Sequence, residues 1–406
     1  MKLKKITALL LALLFVSALT ACDTKSDVSQ DNHLDWVYVA GSANDGALTE
    51  NGYYDRINGV LNYIDLATGK SVVLCQKVGC KHEHGLEDEE RCDAELELTG
   101  NRMLFDNDTL YYADRNTLYS RNATGGELKE LGMLAKELVK ENKRVTVFIS
   151  AICNGYLYYS GTISEIEEDK SGSGTSIVKA TDDFIGRYNL SNRKDEILVH
   201  QEINNYGQDI QFVAARENGV IYLYEEGIGP AEDWEDVDAK KRLAAQQKTP
   251  VYIKHLNLVT GETTTLLSTT FGNTHSVSGV ENGKLFYIKS IDGTYELHSY
   301  DLATGKDTAF YKEEASPNYY GKGFWLLTKW LDAQGKTAER HIHDANTAKT
   351  FPCELSGHFW TMARSAHGMV MLYDNHSTIS GYFFLSYDSL ADGLQESDLK
   401  FLYSNS

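Results

Sequence analysis

The sequence is 406 residues long and carries 58 acidic against 39 basic residues, a net charge of −19 at neutral pH. A nucleic-acid-binding protein normally presents a basic face, so this balance argues against nucleic acid as a partner. The chain contains 25 tyrosines but only four prolines, a composition typical of many short strands.

The first 21 residues have the organisation of a secretory signal peptide. Lys2, Lys4 and Lys5 give a positive start, and an apolar run follows over residues 6–19. This run is shorter than the roughly 20 residues that a membrane-spanning helix needs. We therefore predict that residues 1–21 are a signal peptide and not a transmembrane helix.

Small residues lead from this apolar run into a cysteine. The sequence Leu19-Thr20-Ala21-Cys22 resembles the lipobox of bacterial lipoproteins. The resemblance implies cleavage before Cys22 and a diacylglycerol on its thiol, with acyl chains such as palmitate. Two acyl chains suffice for stable anchoring, so the expected location is the extracytoplasmic face of the cell membrane. The alternative is an ordinary signal peptide followed by an incidental cysteine.

The polar residues after the lipobox predict a flexible tether. Residues 22–34 comprise the lipidated cysteine and a segment without an apolar period, as expected of a linker. Cleavage before Cys22 removes three lysines and no acidic residue, which leaves 36 basic against 58 acidic residues, a net charge of −22. We assign residues 35–406 to one folded domain.

A hexapeptide repeat organises the rest of the chain. The sequence Asp-Leu-Ala-Thr-Gly-Lys occurs at residues 65–70 and again at 301–306, with looser copies between and after them. Positions equivalent to Gly69 fall at 125, 193, 261, 305, 348 and 392, so the last four units are spaced by 44, 43 and 44 residues. A period near 40 to 45 residues is typical of propeller blades.

These features predict an all-β fold, a single β-propeller of about seven four-stranded blades, with six or eight also compatible. A row of β-sandwiches is the second choice, but its repeats would be nearer 90 residues. The longer early units require insertions, at residues 75–92, 131–143, 164–176 and 231–247. We expect helical spacing in the second, a mobile loop in the third and a surface helix in the fourth. Insertions on one face of a repeat array often form its binding face; tolerated decoration is the alternative.

A family resemblance supports this interpretation. Tyr-Ile-Asp-Leu-Ala-Thr-Gly-Lys at 63–70, followed by Leu74-Cys75, by Cys-Lys-His at 80–82 and by Cys-Asp-Ala at 92–94, resembles lipid-anchored propeller proteins of Firmicutes, which generally have no assigned function. The resemblance implies a fold related to the propellers of the low-density lipoprotein receptor family and of TolB. The Tyr-Trp-Thr-Asp signature of the receptor propellers is absent, so their ligands cannot be carried over.

The first insertion holds a candidate metal site. Cys75, Cys80, His82 and Cys92 lie within 18 residues, and three thiolates with one imidazole can close a tetrahedral zinc site. Such a zinc would be structural, because four protein ligands leave no open position for water. His84 is an alternative to His82 as the imidazole ligand.

The cysteine count leaves other chemistries open. Lipidation of Cys22 leaves five cysteines, an odd number that cannot all pair within one chain. A zinc site uses three of them and leaves Cys153 and Cys353. The competing interpretations are one disulfide within the cluster, which an exterior compartment favours, and reduced thiols.

Two further patterns are weaker candidates. His341 and His343 alternate on one predicted strand, and His298 has the same register as His341 one blade earlier. The functional interpretation is a metal or proton site; the preferred one is ordinary histidines that face solvent or are hydrogen-bonded within the fold. Asp-Asn-Asp at 106–108 resembles the start of a calcium loop but lacks the remaining ligand spacing, so a strand-to-strand turn is preferred.

The sequence predicts a non-catalytic cell-envelope lipoprotein. Its propeller is expected to bind an extracellular peptide, protein or glycan, or to scaffold a protein complex, and its partners include the membrane through the lipid. No nucleophile elbow, phosphate loop or dinucleotide fingerprint is present. The alternative function is an envelope glycan-active enzyme, a hydrolase or lyase with carboxylates drawn from several blades.

Overall fold

A computed structural model describes residues 36–38, 46–83, 85, 91–96, 102–168, 176–230, 234, 237–272, 274–291, 294–332, 337–375 and 380–404. The signal peptide, the lipidation site Cys22, the tether at 22–34 and His84 lie outside these residues. No helix in the described ranges combines the length and the apolar character needed to cross a membrane.

The described chain forms seven antiparallel sheets, preceded by the short strand β1 (Val37–Tyr38). Blade 1 consists of β2 (Ala47–Leu48), β3 (Gly52–Ile57), β4 (Val60–Asp65) and β5 (Ser71–Val73). Blade 2 consists of β6 (Met103–Asp106), β7 (Thr109–Asp114), β8 (Thr117–Asn122) and β9 (Lys129–Met133). Blade 3 consists of β10 (Lys143–Cys153), β11 (Tyr156–Glu168), β12 (Ser176–Asn189) and β13 (Asp195–Glu202).

The second half of the ring repeats the same four-stranded unit. Blade 4 consists of β14 (Asp209–Arg216), β15 (Gly219–Glu225), β16 (Pro250–Asn257) and β17 (Thr263–Thr270). Blade 5 consists of β18 (Thr274–Glu281), β19 (Lys284–Ile291), β20 (Thr294–Asp301) and β21 (Asp307–Glu313). Blade 6 consists of β22 (Ser316–Gly321), β23 (Phe324–Trp330), β24 (Ala338–Asp344) and β25 (Lys349–Pro352). Blade 7 consists of β26 (His358–Arg364), β27 (Gly368–Asp374), β28 (Ser380–Ser386) and β29 (Lys400–Tyr403).

Hydrophobic packing between neighbouring blades closes the ring. Seven buried clusters each join two adjacent blades, and the last joins blade 7 back to blade 1. In that closing cluster, Tyr53 and Ile64 of blade 1 pack with Val370 and Leu402 of blade 7. Aromatic and β-branched side chains suit this arrangement because alternate residues of each strand face opposite neighbours. The prediction of a seven-bladed propeller is confirmed.

The two ends of the blades differ in what connects their strands. At one end, which we call the turn face, lie the hairpins between the first and second strands and the hexapeptide turns between the third and fourth. At the other end, the crossover face, lie the connections between the second and third strands and those between blades. The first strand of each blade lies nearest the centre and contacts the first strands of neighbouring blades, as β10, β14 and β18 show.

The hexapeptide forms a turn closed by its first side chain. The Asp65 carboxylate accepts hydrogen bonds from the Thr68 backbone N–H at 2.7 Å and the Thr68 hydroxyl at 2.6 Å, and Asp301 binds Thr304 in the same way. Gly305 at the fifth position has φ of 70°, a left-handed conformation that glycine adopts without strain. The degenerate copy in blade 7 departs from this geometry: residues Tyr387–Ala391 form a 3-10 helix.

The insertions match the expectations only in part. The surface helix is present as α1 (Ala239–Gln246), which begins after the capping residue Asp238 and has no buried residue. The expected helical spacing at 131–143 is wrong beyond one 3-10 turn, Lys136–Leu138, because Leu131 belongs to β9 and Leu134 packs into the blade 2–3 core. At the expected loop, 164–176, β11 extends to Glu168 and β12 begins at Ser176, so the two ends of the segment are strand; residues 169–175, the rest of the expected loop, lie outside the described chain.

The segment before blade 1 occupies a place that the sequence does not indicate. β1 pairs antiparallel with β14, the innermost strand of blade 4, and contacts β10 and β18. It therefore joins neither the first blade nor the last. Trp36 is 8% exposed, stacks edge-on against His255 and lies under the Arg216 guanidinium at 4.6 Å. Trp36 and Val37 line the central cavity of about 510 Å³ together with Glu281 and Arg364.

Candidate metal centre and ligand surfaces

The cysteine-rich insertion interrupts the outermost strand of blade 1. β5 pairs with residues 62–64 of β4, and the chain then leaves the sheet at Leu74. It returns at residues 94–96, where the Ala94 carbonyl accepts from the Leu61 N–H and Glu95 bridges Val60. The insertion therefore leaves and rejoins the outer strand of blade 1 at the rim of the ring next to blade 2, and we call it the cysteine-rich excursion. The other three insertions lie at the crossover face.

The structure brings the four predicted ligands together. One ligand atom each of Cys75, Cys80, His82 and Cys92 lies within 4.8 Å of the others, and this is the one such cluster within the described residues. The Cys92 sulfur lies 3.7 Å from His82 Nδ1. Gly79 and His82 adopt left-handed backbone conformations, with φ of 75° and 58°, which turn the short segment so that the side chains of Cys80 and His82 face the same point.

Backbone N–H groups point at the three sulfurs in a repeated pattern. The His82 N–H donates to the Cys80 sulfur at 3.4 Å. In the same way the Lys77 N–H donates to the Cys75 sulfur, and the Ala94 N–H donates to the Cys92 sulfur. In all three cases the donor lies two residues after the cysteine. Donors of this kind stabilise a thiolate and orient it, as outer-shell groups of metal sites do. The pattern favours three thiolates around a cation.

The thiols differ in their ionisation. Burial alone would raise the pKa of the Cys75 thiol, but N–H donors from Lys77 and Asp93 and the neighbouring sulfurs lower it. Burial and the adjacent sulfurs raise the pKa of Cys92 to about 12. A site in which the pKa of one thiol, Cys75, is lowered while another, Cys92, resists ionisation without a cation is suited to bind a metal, since metal binding displaces the remaining proton.

All five described cysteines are free thiols. Cys153 ends β10 in blade 3, and Cys353 follows β25 in blade 6. Burial raises the pKa of both thiols, so neither resembles a reactive cysteine, which needs a lowered pKa and exposure.

A row of three aromatic rings lies on the crossover face at blades 6 and 7. Trp330 ends β23 and is 44% exposed, and Trp360 near the start of β26 is 50% exposed. His358 lies between them, with ring centroids 6.0 Å from Trp330 and 5.9 Å from Trp360. Leu331 is exposed beside the row. Soluble proteins seldom leave large contiguous apolar groups in water unless they bind something.

Arg340 holds this row in place from below. Its guanidinium lies 5.6 Å from the Trp330 ring centroid and donates to the backbone carbonyls of Leu355 and Gly357, at 2.9 and 2.7 Å. These two carbonyls belong to the connection that leads into His358. The same side chain therefore fixes both the Trp330 ring and the loop before Trp360, so that little conformational entropy remains to be lost on binding.

Three neighbouring carboxylates, those of Asp183, Asp209 and Glu225, lie on the crossover side between blades 3 and 4. Burial, and then the charge of Asp209, raise the pKa of Asp183 to about 6 and that of Glu225 to about 7. Next to them, Asp182 binds His200 at 2.9 Å and Lys143 at 3.5 Å. A carboxyl group that titrates near neutral pH can hold or transfer a proton.

The weaker sequence candidates are structural. His298 is buried and bound to Asp307 and Glu296, at 3.1 and 3.3 Å. His343 is buried, bonds to Thr350 at 3.0 Å and stacks on Phe310. Residues 106–108 form the hairpin between β6 and β7, with left-handed conformations at 107 and 108, so the turn interpretation is the one the structure supports.

Sequence reasoning missed the tryptophan row as a site, since Trp330 and Trp360 are 30 residues apart and belong to different blades. One feature of the sequence could have indicated the site: Trp330 and Leu331 are two large apolar residues in succession at the end of a strand. Successive residues of a strand face opposite sides, so burial of one face of the sheet does not require both to be apolar.

Comparison with known proteins gives the fold and no family. No family model and no curated protein matches the sequence. Among solved structures, a puromycin-hydrolyzing peptidase of Mycobacterium tuberculosis is similar with a TM-score of 0.55 at 9% identity, over 89% of this chain and 53% of that chain. A prolyl endopeptidase is similar with a TM-score of 0.51 at 13% identity, over 88% and 49%.

An oligogalacturonate lyase of Vibrio parahaemolyticus is similar with a TM-score of 0.50 at 9% identity, over 89% of this chain and 92% of that chain. The present chain spans about half the length of the peptidases that it matches. At these identities the similarities show the propeller fold alone. The resemblance to lipid-anchored propellers of Firmicutes stays a prediction.

The carboxylates between blades 3 and 4 predict a stability that falls as pH rises. Their folded pKa values, about 6 for Asp183 and about 7 for Glu225, exceed the ordinary 3.8 and 4.5. The protonated forms therefore favour the folded state, and this contribution is lost as pH rises through 6 and 7. Asp209→Asn should reduce the fall in stability between about pH 4 and pH 7, the interval between the unfolded and folded pKa values, as measured by urea unfolding.

The control for this experiment is Asp392→Asn, an exposed carboxylate of blade 7, which should leave the pH profile unchanged. An identical fall in Asp209→Asn and the unmodified protein would show that the Asp209 charge does not act on its neighbours.

Proposed function

We propose that this protein is a lipid-anchored, non-catalytic lipoprotein of the cell envelope whose propeller binds an extracellular glycan at the crossover face. The observation that supports it is the exposed row of Trp330, His358 and Trp360. Tryptophan offers a large apolar ring face and a polar N–H. A sugar ring likewise presents an apolar face of C–H groups and a rim of hydroxyls, so a flat aromatic row suits a glycan.

The setting of the row supports this choice over other partners. The three insertions at the crossover face enlarge the surface on the side where the row lies. The strongly acidic chain repels polyanions at low salt, which favours a neutral or amino-sugar glycan. The Arg340 contacts arrange the rings before binding, and preorganisation improves affinity without new contacts.

The glycan proposal is tested with Trp330→Ala and Trp360→Ala. Binding of residues 23–406 to purified peptidoglycan sacculi and to soluble oligosaccharides of N-acetylglucosamine is measured by sedimentation and by tryptophan fluorescence. Each substitution should weaken binding at least about tenfold, or about 1.4 kcal/mol. The matched control is Phe401→Ala, an aromatic on the outer strand of blade 7 that is also about half exposed; it should bind normally.

The same experiment addresses the alternative function. A glycan-active hydrolase or lyase is favoured by Glu225, whose pKa is raised to about 7, as a general acid requires. Shortening of the oligosaccharides during incubation, abolished by Glu225→Gln, would establish the enzyme and overturn the non-catalytic proposal. Binding that survives both tryptophan substitutions would overturn the role of the aromatic row.

Anchoring is proposed to occur through Cys22. The argument is the lipobox Leu19-Thr20-Ala21-Cys22 after a short apolar run. In bacteria, Cys22→Ala should block lipidation and processing, and the protein should change its distribution between membrane and soluble fractions. Metabolic labelling with a palmitate analogue and fractionation measure this, with Cys153→Ala as the control cysteine. A Cys22→Ala protein that is still labelled and processed would refute the lipobox assignment.

We propose that the cluster of Cys75, Cys80, His82 and Cys92 holds a structural zinc ion. The donor set is three sulfurs and one imidazole, which zinc favours and for which tetrahedral closure is usual. The repeated N–H to sulfur bonds fit thiolates better than a disulfide, whose sulfurs carry no charge. The metal would order an excursion that has little core of its own.

Zinc removal should therefore loosen the rim of blades 1 and 2. Elemental analysis of protein made without added metal should give about one zinc per chain, and three of the five thiols should react only after chelation. Cys92→Ser should lose the metal and lower the unfolding temperature, whereas Cys353→Ser should retain the metal. Protein without metal and with two thiols lost to a disulfide would end the zinc proposal.

A further inference from the structure

A second cavity lies apart from the crossover face, at the rim between blades 1 and 2. Its volume is about 620 Å³, within the range of about 300–1,000 Å³ typical of small-molecule sites. The cysteine-rich excursion forms one wall, with Cys92 and Leu96, and blade 2 forms the other, with Tyr112, Tyr119 and Arg121.

The alternation of side chains along β8 places the charged Arg121 on the face of blade 2 that packs against blade 1. Arg121 pairs with Leu110, and Tyr119 pairs with Tyr112, so these four side chains share one face of blade 2. Leu110 and Tyr112 belong to the hydrophobic cluster between blades 1 and 2. A guanidinium at this position is not required for the core, which an apolar residue would fill better.

The Arg121 guanidinium is buried, and two of its nitrogens are unpaired among the described residues. Arg121 is 3% exposed, and its Nε and Nη1 atoms have no hydrogen-bond partner within the described part of the chain. The buried Tyr112 hydroxyl has none either. Burial raises the pKa of Tyr112, so the phenol stays protonated and can donate. Native proteins pair nearly all buried polar groups, and an unpaired buried charge is strongly unfavourable, so this arrangement suits an acceptor that does not belong to the described residues, such as a bound ligand.

The other charges around the cavity limit what that acceptor is. Lys77 and Arg91 line it, and Arg91 is paired with Glu95 at 3.3 Å. Asp93, Asp114 and Glu127 also line it. These carboxylates would repel a phosphate or sulfate dianion more than a single carboxylate, and they offer acceptors for a cation. Tyr119, stacked on Tyr112 at 5.8 Å, and Leu128 provide apolar contacts.

We infer that this cavity binds a small amino carboxylate, an amino acid or a short peptide with a free C-terminus. The ligand carboxylate accepts from the Arg121 guanidinium that lines the cavity and from the Tyr112 hydroxyl, and its ammonium group lies towards Glu127, which the register of β8 and β9 places at the Arg121 end of blade 2. The apolar part of the ligand packs against the stacked tyrosines. This site is separate from the glycan surface and does not depend on it.

Calorimetric titration of the mature protein in detergent tests the inference. The probes are phenylalanine, the dipeptide Ala-Phe, its C-terminal amide and its N-acetyl derivative. Phenylalanine or Ala-Phe should bind and raise the unfolding temperature. The amide should bind at least about tenfold more weakly, since it cannot satisfy the buried guanidinium, and acetylation should weaken binding as well.

Variants separate this role from a structural one. Arg121→Met should abolish binding, yet without ligand its unfolding temperature should equal or exceed that of the unmodified protein, because an unpaired buried charge has been removed. Arg187→Met is the matched control: Arg187 is paired with Glu196 at 2.8 Å, so its loss should lower stability slightly and leave binding intact. Tyr112→Phe, which removes only the hydroxyl, should weaken binding several-fold and provides a test independent of how Arg121→Met folds.

Three outcomes would overturn the inference: no binding of phenylalanine or Ala-Phe, binding unaffected by both Arg121→Met and Tyr112→Phe, or equal affinity for Ala-Phe and its amide. Trp360→Ala should leave binding at this cavity unchanged. A failure of glycan binding and a failure of this site are therefore observed separately.

Discussion

The turn that closes the third and fourth strands in blades 1 to 6 is the feature on which the propeller depends. Its first residue, Asp65 or Asp301 for example, accepts the N–H and hydroxyl of a threonine three positions later. A side chain that binds its own turn fixes the register of the hairpin. Since register decides which alternate residues face each neighbour, these turns also decide which side chains form the seven clusters between blades.

Packing through blade faces leaves the strand ends and the outer rim free to vary. The long hairpin of β11 and β12, the helix α1 and the connection after β9 all extend the crossover ends of blades, where they disturb no interblade contact. The cysteine-rich excursion lies at the outer rim instead. An outermost strand can be interrupted there if its hydrogen bonds resume later, as they do at residues 94–96. The insertions thus lie where the core constrains the chain least.

The three candidate sites place different demands on the fold. The cysteine cluster is local, and left-handed residues with N–H to sulfur bonds arrange it within one excursion. The aromatic row needs two blades in fixed relative positions, which Arg340 supports. The Arg121 cavity needs a blade face on one side and the excursion on the other. Metal binding would therefore couple to the cavity, because loosening the excursion removes one of its walls.

The sequence by itself determined the features that depend on neighbouring residues. The repeat spacing predicted seven blades, and Cys75, Cys80, His82 and Cys92 could be named because all four lie within one short excursion. The tertiary structure alone decided the rest. Trp330 and Trp360 lie on the two sides of His358, Arg121 is buried with two nitrogens unpaired among the described residues, and Trp36 lines the central cavity beside blade 4. Each depends on how the closed ring brings distant strands together, and strand alternation specifies the face of a residue but not the blade that it meets.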